Sequence, residues 1–323
     1  MKPFNVFPYG SNINFMRLRW FSIGLAIALA LLSVAGIAIK GFNFALDFTG
    51  GTATELAFAK PVDVEQTRLK LERAGMDAQV QAFGNGSEIL VRMQAPDGKT
   101  STTGNQSEAA SQSASNVLTA LNSADNPARV LSSEFVGPEV GRDLAINGVW
   151  ALLFVIVGFL IYISFRFEKK FAIAAVLTTL HDVILCLGWF AWSQHEFDLT
   201  VLAGVLSVMG FSINDTIVVF DRVRENFRTM RADPERILNA SINQTLSRTV
   251  ITSFVAFLSC FALYVYGGKS IEGMAEAQMI GIIFGTLSSI FIACPLLTMA
   301  FMKVTSDDLM PKEKYDAELA RRP

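Results

Sequence analysis

The sequence predicts a polytopic α-helical membrane protein of six transmembrane helices, with one periplasmic α+β (ferredoxin-like) domain between helices 1 and 2. Three observations predict it. The chain is 51 % hydrophobic and only 17 % charged, with a mean hydropathy of +0.40. That is too apolar for a soluble domain of this length and suits a chain that crosses the bilayer repeatedly. Apolar runs near the ~20 residues needed to span the hydrocarbon recur along it. Between the first and second runs the composition changes to that of a soluble domain. The net charge of −2 gives no pointer to a nucleic-acid partner.

Residues 1–19 form a cytoplasmic N-terminus, polar and aromatic, with Lys2, Arg17 and Arg19. Residues 20–39 are apolar throughout and make the first span. The run is long for a signal-peptide core and no clear small-x-small cleavage site follows, so an uncleaved helix is the preferred reading. Residues 40–143 form the soluble domain. Within it, 52–58 reads as a strand and 64–74 as an amphipathic helix stopped at Gly75. Residues 77–83 and 87–93 read as strands joined through Gly84-Asn85-Gly86. A second helix at 106–122 and a last strand at 128–135 complete the order βαββαβ, that of a ferredoxin-like sandwich. The stretch 95–115 is rich in Gly, Ser, Thr and Asn, which predicts a mobile loop over part of it.

Five further runs, about 144–165, 171–192, 199–220, 249–266 and 275–302, make a membrane bundle over 144–302. Lys and Arg collect at the N-terminus, in 166–170, in 221–247 (Arg222, Arg224, Arg228, Arg231, Arg236) and in the tail 303–323. The alternate loops are poor: 193–198 has none and 267–273 only Lys269. By the positive-inside rule both termini lie in the cytoplasm, and the soluble domain lies on the far side of the membrane. Residues 221–247 then form a cytoplasmic loop, with Asp233-Pro234 opening a short amphipathic helix at 237–246.

The chemistry is concentrated in the spans. In the fourth, Leu202, Leu206, Met209, Ile213, Ile217 and Phe220 recur at helical spacing and predict a lipid-facing stripe. Gly204, Ser207, Ser212 and Asp215 fall on the other side, Asp215 roughly 200° round from Ile213. A carboxylate at bilayer depth costs several kcal/mol, so Asp215, next to Asn214, is expected to face protein. It is either hydrogen-bonded to a neighbouring helix or carries a proton. Burial disfavours a charged carboxyl and a nearby cation favours it, so a mobile cation can switch such a proton on and off. His181-Asp182 lies near mid-membrane in the third span, as a relay or as an interhelical pair, and Asn214 is a candidate for the same roles. In the fifth, Thr245, Arg248, Thr252 and Ser259 share a face. Arg248 either snorkels to the cytoplasm or, if the helix begins near Ser241, lies within it and can pair with Asp215. Gly281, Gly285, Ser288 and Ser289 predict a tight helix–helix face in the sixth. Cys186, Cys260 and Cys294 all fall in apolar runs, which fits packing and neither a disulfide nor a zinc site.

Several strings together resemble one family. Asp47-Phe48-Thr49-Gly50-Gly51 follows the first span, and Phe135-Val136-Gly137-Pro138-Glu139-Val140-Gly141 precedes the second. His181-Asp182 sits in the third, Gly210–Asn226 (GFSINDTIVVFDRVREN) closes the fourth, and Leu246-Ser247-Arg248-Thr249 opens the fifth. Over about residues 13–303 the chain resembles the smaller membrane subunit of the SecDF family of bacterial protein-export complexes, part of the resistance-nodulation-division superfamily. The resemblance implies work with a SecD subunit beside the SecYEG translocon, with YajC and YidC as further candidate partners. It implies use of the proton motive force to draw a translocating preprotein outward, with protons as the coupling ion and no cofactor or enzymatic activity. It assigns proton conduction to Asp215, Arg248 and Thr252, and a structural role to Asp47, Gly50, Gly51, Gly137 and Gly141. No internal duplication of six spans is visible, so the chain reads as half of a pseudo-symmetric pair. A proton-coupled small-molecule or ion transporter subunit of the same superfamily is the alternative. An intramembrane aspartyl protease built on Asp182 and Asp215 would need Tyr-Asp and Gly-x-Gly-Asp strings, which Leu180-His181-Asp182 and Ile213-Asn214-Asp215 do not provide.

Overall fold

The computed structural model describes residues 12–83, 86–93, 106–123, 125–299 and 302–305. The expected turn at 84–85, the Gly/Ser-rich stretch up to residue 105, residues 1–11 and the tail beyond 305 lie outside the described residues. Contacts divide the chain into two units, one of Phe44–Ala151, the other of Met1–Asn43 with Leu152–Pro323. A 3-10 turn (Phe15–Leu18) leads into α1 (Arg19–Lys40) and the short strand β1 (Asn43–Phe44).

The smaller unit begins with α2 (Leu46–Thr49), followed by β2 (Gly51–Phe58), α3 (Val64–Arg73), β3 (Ala78–Phe83), β4 (Glu88–Met93), α4 (Gln106–Leu121) and β5 (Ala128–Val136). The four strands form one antiparallel sheet in the order β3-β4-β2-β5. The elements lie within a residue or so of those predicted by period-two alternation and helical spacing, and local chemistry explains the agreement. Asp63 caps α3 by accepting from the backbone N–H of Glu65 at 2.8 Å and Gln66 at 3.2 Å. Gly75, at φ +76°, ends it. Leu56, Leu71, Ile89, Val91 and Val117 are fully buried where the two helices cover the sheet. Gly50 and Gly51 sit at φ +67° and +120°, and a Cβ on Gly141 would come within 2.9 Å of the Gly50 backbone nitrogen. The two glycine strings thus meet, at a spot that excludes side chains for two separate reasons.

The membrane helices are α5 (Pro138–Arg166), α6 (Lys169–Ser193), α7 (Leu199–Thr229), α8 (Pro234–Tyr266) and α9 (Lys269–Ser288), with strand β6 (Glu196–Phe197) between α6 and α7. A π turn (Ser289–Ala293) and α10 (Cys294–Leu296) follow α9. The turn accommodates Pro295, which has no N–H to give to the preceding carbonyls. With α1, six helices among the described residues are long and apolar enough to cross a membrane, and the chain is a multi-pass membrane protein. α5 is little covered by the rest of the chain, with Phe154 80 % and Phe165 89 % exposed.

Two expectations are corrected and one is extended. Residues 221–247 are not a loop carrying a short helix: α7 runs to Thr229 and α8 starts at Pro234 and continues unbroken to Tyr266. The extension of α8 has an apolar side to bury, and Ile237, Leu238 and Ile242 are in the core. Residues 13–19, read as part of a polar and aromatic N-terminus, pack against α8. Phe15 and Met16 are buried, the backbone N–H groups of Met16 and Ile13 donate to Asn239 and Asn243 of α8 at 3.0 Å, and Arg19 pairs with Glu235. Finally, the stripe of α7 expected to face lipid faces protein. Met209, Ile213 and Phe220 are buried and Leu202, Leu206 and Ile217 half-buried, whereas Ala203, Ser207, Gly210 and Asn214 are exposed. The cause is position: α7 is packed by α6, α8 and α9, so its apolar residues fill the core.

Candidate intramembrane proton site

Asp215 is carried into the bundle by α7, with Ser212 and Thr216 also buried. It is 3 % exposed. Its Oδ2 lies 3.3 Å from the Ser253 hydroxyl on α8. That hydroxyl has a second acceptor, the Thr249 carbonyl at 2.7 Å. One O–H cannot serve both acceptors fully. With a proton on Asp215, the carboxyl donates to Ser253 and Ser253 donates to Thr249. Without it, Ser253 turns to the carboxylate. The contact therefore accommodates both protonation states. Beside it, the hydroxyls of Thr216 and Thr249 are buried without a partner among the described residues.

Arg248 and Thr252 are placed differently from Asp215. Both are exposed on α8, and Thr252 donates to the backbone carbonyls of Arg248 at 2.9 Å and Thr249 at 3.0 Å. Arg248 makes no ion pair among the described residues. Asn214 is exposed beside Asp215. The hydroxyls that α8 turns inward form a different ladder, Ser241, Thr245, Thr249 and Ser253, all buried. Their spacing of four was present in the sequence, and it is the signal by which Thr249 and Ser253 could have been found.

A second polar cluster lies on α6. Asp182 is fully buried. Its Oδ2 accepts from Ser212 of α7 and Ser288 of α9, both at 2.6 Å. Its Oδ1 lies 3.2 Å from His181 Nδ1, and His181 Nε2 lies 3.3 Å from the Ala26 carbonyl of α1. The cluster ties four helices together. Close backbone approach makes this possible: a Cβ on Gly281 would fall 2.0 Å from Val208 Cγ2, and one on Gly204 2.8 Å from the Ala277 Cβ. Among the described residues no group of His, Cys, Asp and Glu is placed to hold a metal.

Comparison with known proteins gives these sites a family. Residues 116–303 match the profile described as protein export membrane protein SecD/SecF, C-terminal, and residues 35–62 match the SecD/SecF GG motif. The chain is 42 % identical over 309 residues to the protein translocase subunit SecF of Pseudomonas aeruginosa, covering 94 % of this chain and 96 % of that one. It is 39 % identical over 313 residues to that of Escherichia coli O157:H7, covering 96 % and 94 %. Among solved structures it superposes on SecDF of Thermus thermophilus, a translocon-associated membrane protein, with a TM-score of 0.77 at 35 % identity. It covers 90 % of this chain and only 38 % of that longer one. With the GG motif at Gly50-Gly51 and nearly full-length identity to protein-export subunits, the chain belongs to the SecF branch of the SecD/SecF family of protein-export membrane proteins.

Proposed function

We propose that the chain works with a SecD partner to couple the proton motive force to late steps of protein translocation, with Asp215 as the proton carrier. The observation that carries this is the geometry of Asp215: a carboxyl buried at membrane depth, held by one shared hydroxyl and flanked by two unpartnered ones. Its single shared hydrogen bond leaves Asp215 able to gain and lose a proton without breaking a network. Arg248 and Thr252 are proposed to join the relay from the exposed face of α8. Polar groups exposed at that depth, Ser207 and Asn214 on α7 with Arg248, Thr252 and Ser259 on α8, belong against protein and not lipid. This supports a second half-bundle docked there, and the length of the SecDF chain that this one partly covers supports SecD as its source.

The remaining assignments follow from the same reading. The membrane is the bacterial inner membrane with both termini inside. The βαββαβ unit is a periplasmic, ferredoxin-like domain, and its string Asp47 to Gly51 with Gly137 and Gly141 is structural. SecYEG, with YajC and YidC, and a translocating preprotein are the proposed partners, and the role is energy coupling without enzymatic turnover or a cofactor. One charge crossing 100 mV releases about 2.3 kcal/mol, enough per proton to bias a domain motion. The test is Asp215→Asn in the assembled complex, assayed for gradient-dependent completion of export in inverted vesicles. Loss of the gradient response with assembly intact is expected. An unchanged response refutes the proton role.

A further inference from the structure

We propose that His181 and Asp182, with Ser212 and Ser288, form a second proton-holding site in this chain, which alternates between one and two protons by turning the Ser288 hydroxyl. The proposal rests on the proton-coupled reading above and adds a site that reading does not use.

The donors and acceptors of the cluster fix how many protons it holds. His181 Nε2 faces a backbone carbonyl, which can only accept, so Nε2 carries a hydrogen. Nδ1 then faces Asp182 Oδ1. That contact needs one proton between the two atoms, whether written as imidazolium and carboxylate or as imidazole and carboxylic acid. Without it, two lone-pair bearers oppose each other inside the bundle and one of the two imidazole contacts must break. The pair therefore holds at least one proton whenever the observed geometry is kept.

The second proton has a place on Oδ2. In the one-proton state Ser212 and Ser288 both donate to that oxygen. Ser288, unlike Ser212, has an alternative acceptor, the Gly285 carbonyl at 3.0 Å. An arriving proton bonds to Oδ2. Ser288 gives up its hydrogen bond to Oδ2, donates to Gly285 and accepts from the new carboxyl O–H. Ser212 keeps donating throughout. No heavy atom need move and no polar group is orphaned in either state. A cavity of about 310 Å³, bounded by α1 residues such as Leu25 and Leu29 and by Phe284, opens onto His181 and Ser288. The imidazole thus has a free side and is not sealed in the core.

The second proton gives the site a net positive charge at a depth where charge is costly. The ionisable groups on the elements packed around it are Cys186 one turn along α6, Asp215 three residues beyond Ser212 on α7, and Glu276 three turns away on α9, with none on α1 at this level. Asp215 is the nearest carboxyl by sequence that shares a helix with one of the ligating serines. Loading at Asp182 is therefore favoured when Asp215 has released its proton, which makes the two sites alternate.

The test is infrared difference spectroscopy of the full chain in nanodiscs, following the carbonyl stretch of protonated carboxyls as pH is varied. Wild type is expected to show a titrating band that Asp182→Asn removes, that Asp215→Asn keeps but moves to lower pH because the neutral amide no longer favours loading, and that Ser288→Ala shifts in frequency because the carboxyl O–H loses its acceptor. A titration unchanged by Asp182→Asn overturns the proposal. If that variant fails to fold, an Asp182 band unshifted by Ser288→Ala overturns it equally. Because the readout is spectroscopic, it is separable from export: an Asp182 band in a complex whose export ignores Asp215→Asn upholds this site and removes the role of Asp215.

Discussion

Gly281→Ala drives the smallest possible wedge between α7 and α9. The added Cβ would lie 2.0, 2.4 and 2.7 Å from Cγ2, Cγ1 and Cβ of Val208. Carbon atoms in contact sit about 3.5–4.0 Å apart. Turning the valine side chain relieves the first two clashes at most, because Cβ is fixed to the helix. The helices must therefore part by roughly 1 Å, an overpacking that costs about 1–3 kcal/mol. Asp182 of α6 bridges the same two helices through its 2.6 Å bonds to Ser212 of α7 and Ser288 of α9, and a parting of that size stretches one of the two to the limit of a hydrogen bond. The assay is a four-member cycle of thermal unfolding in nanodiscs: wild type, Gly281→Ala, Val208→Ala and both. Val208→Ala alone costs roughly 1 kcal/mol for its lost methyls. The double variant should recover stability relative to Gly281→Ala, with a coupling of about 1 kcal/mol or more. If Gly281→Ala is as stable as wild type, or the two changes add within about 0.5 kcal/mol, the close seam is not what sets this contact.

Two changes in the smaller unit read the local chemistry in the same way. Gly50→Ala puts a Cβ at φ +67° and ψ 169°, a region essentially reserved for glycine, and is expected to cost about 1–3 kcal/mol; faster proteolysis of Phe44–Ala151 in the intact chain is the measurement. Asp63→Ala leaves the N–H groups of Glu65 and Gln66 without their side-chain acceptor and is expected to cost about 1 kcal/mol, while Asp63→Asn costs a few tenths; thermal unfolding distinguishes them.

The smaller unit was legible because its signals are local. Gly75 as a stop and the alternation in Gly51–Phe58 are both decided within a few residues. The membrane unit was legible only as a set of spans. Lipid and protein core are equally apolar, so Met209, Ile213 and Phe220 said that α7 has an apolar side without saying what covers it. On α8 the sequence offers two hydroxyl ladders that share Thr245. The one through Arg248 and Thr252 attracts attention because a cation suits a carboxylate, yet the buried one runs through Thr249 and Ser253. Asp182 stood out as ionisable, but its serines lie 30 and 106 residues away and only the packing of α7 and α9 selects them.

The two polar sites differ in how firmly α7 is held beside them. On the α9 side Gly204 and Gly281 allow near contact, and Ser212 makes a 2.6 Å bond to Asp182, so α7 has little freedom there. On the α8 side, among the described residues, the only side-chain bond to Asp215 is the 3.3 Å contact to Ser253, and the hydroxyls of Thr216 and Thr249 have no partner. This contact is therefore the looser of the two that hold α7. Adding or removing a proton at Asp215 reverses the direction of the Ser253 bond, and it does so where other donors are waiting for acceptors. The rearrangement that accompanies a change of charge on Asp215 is thus expected at the α7–α8 contact, with the α7–α9 seam as the fixed wall against which it occurs.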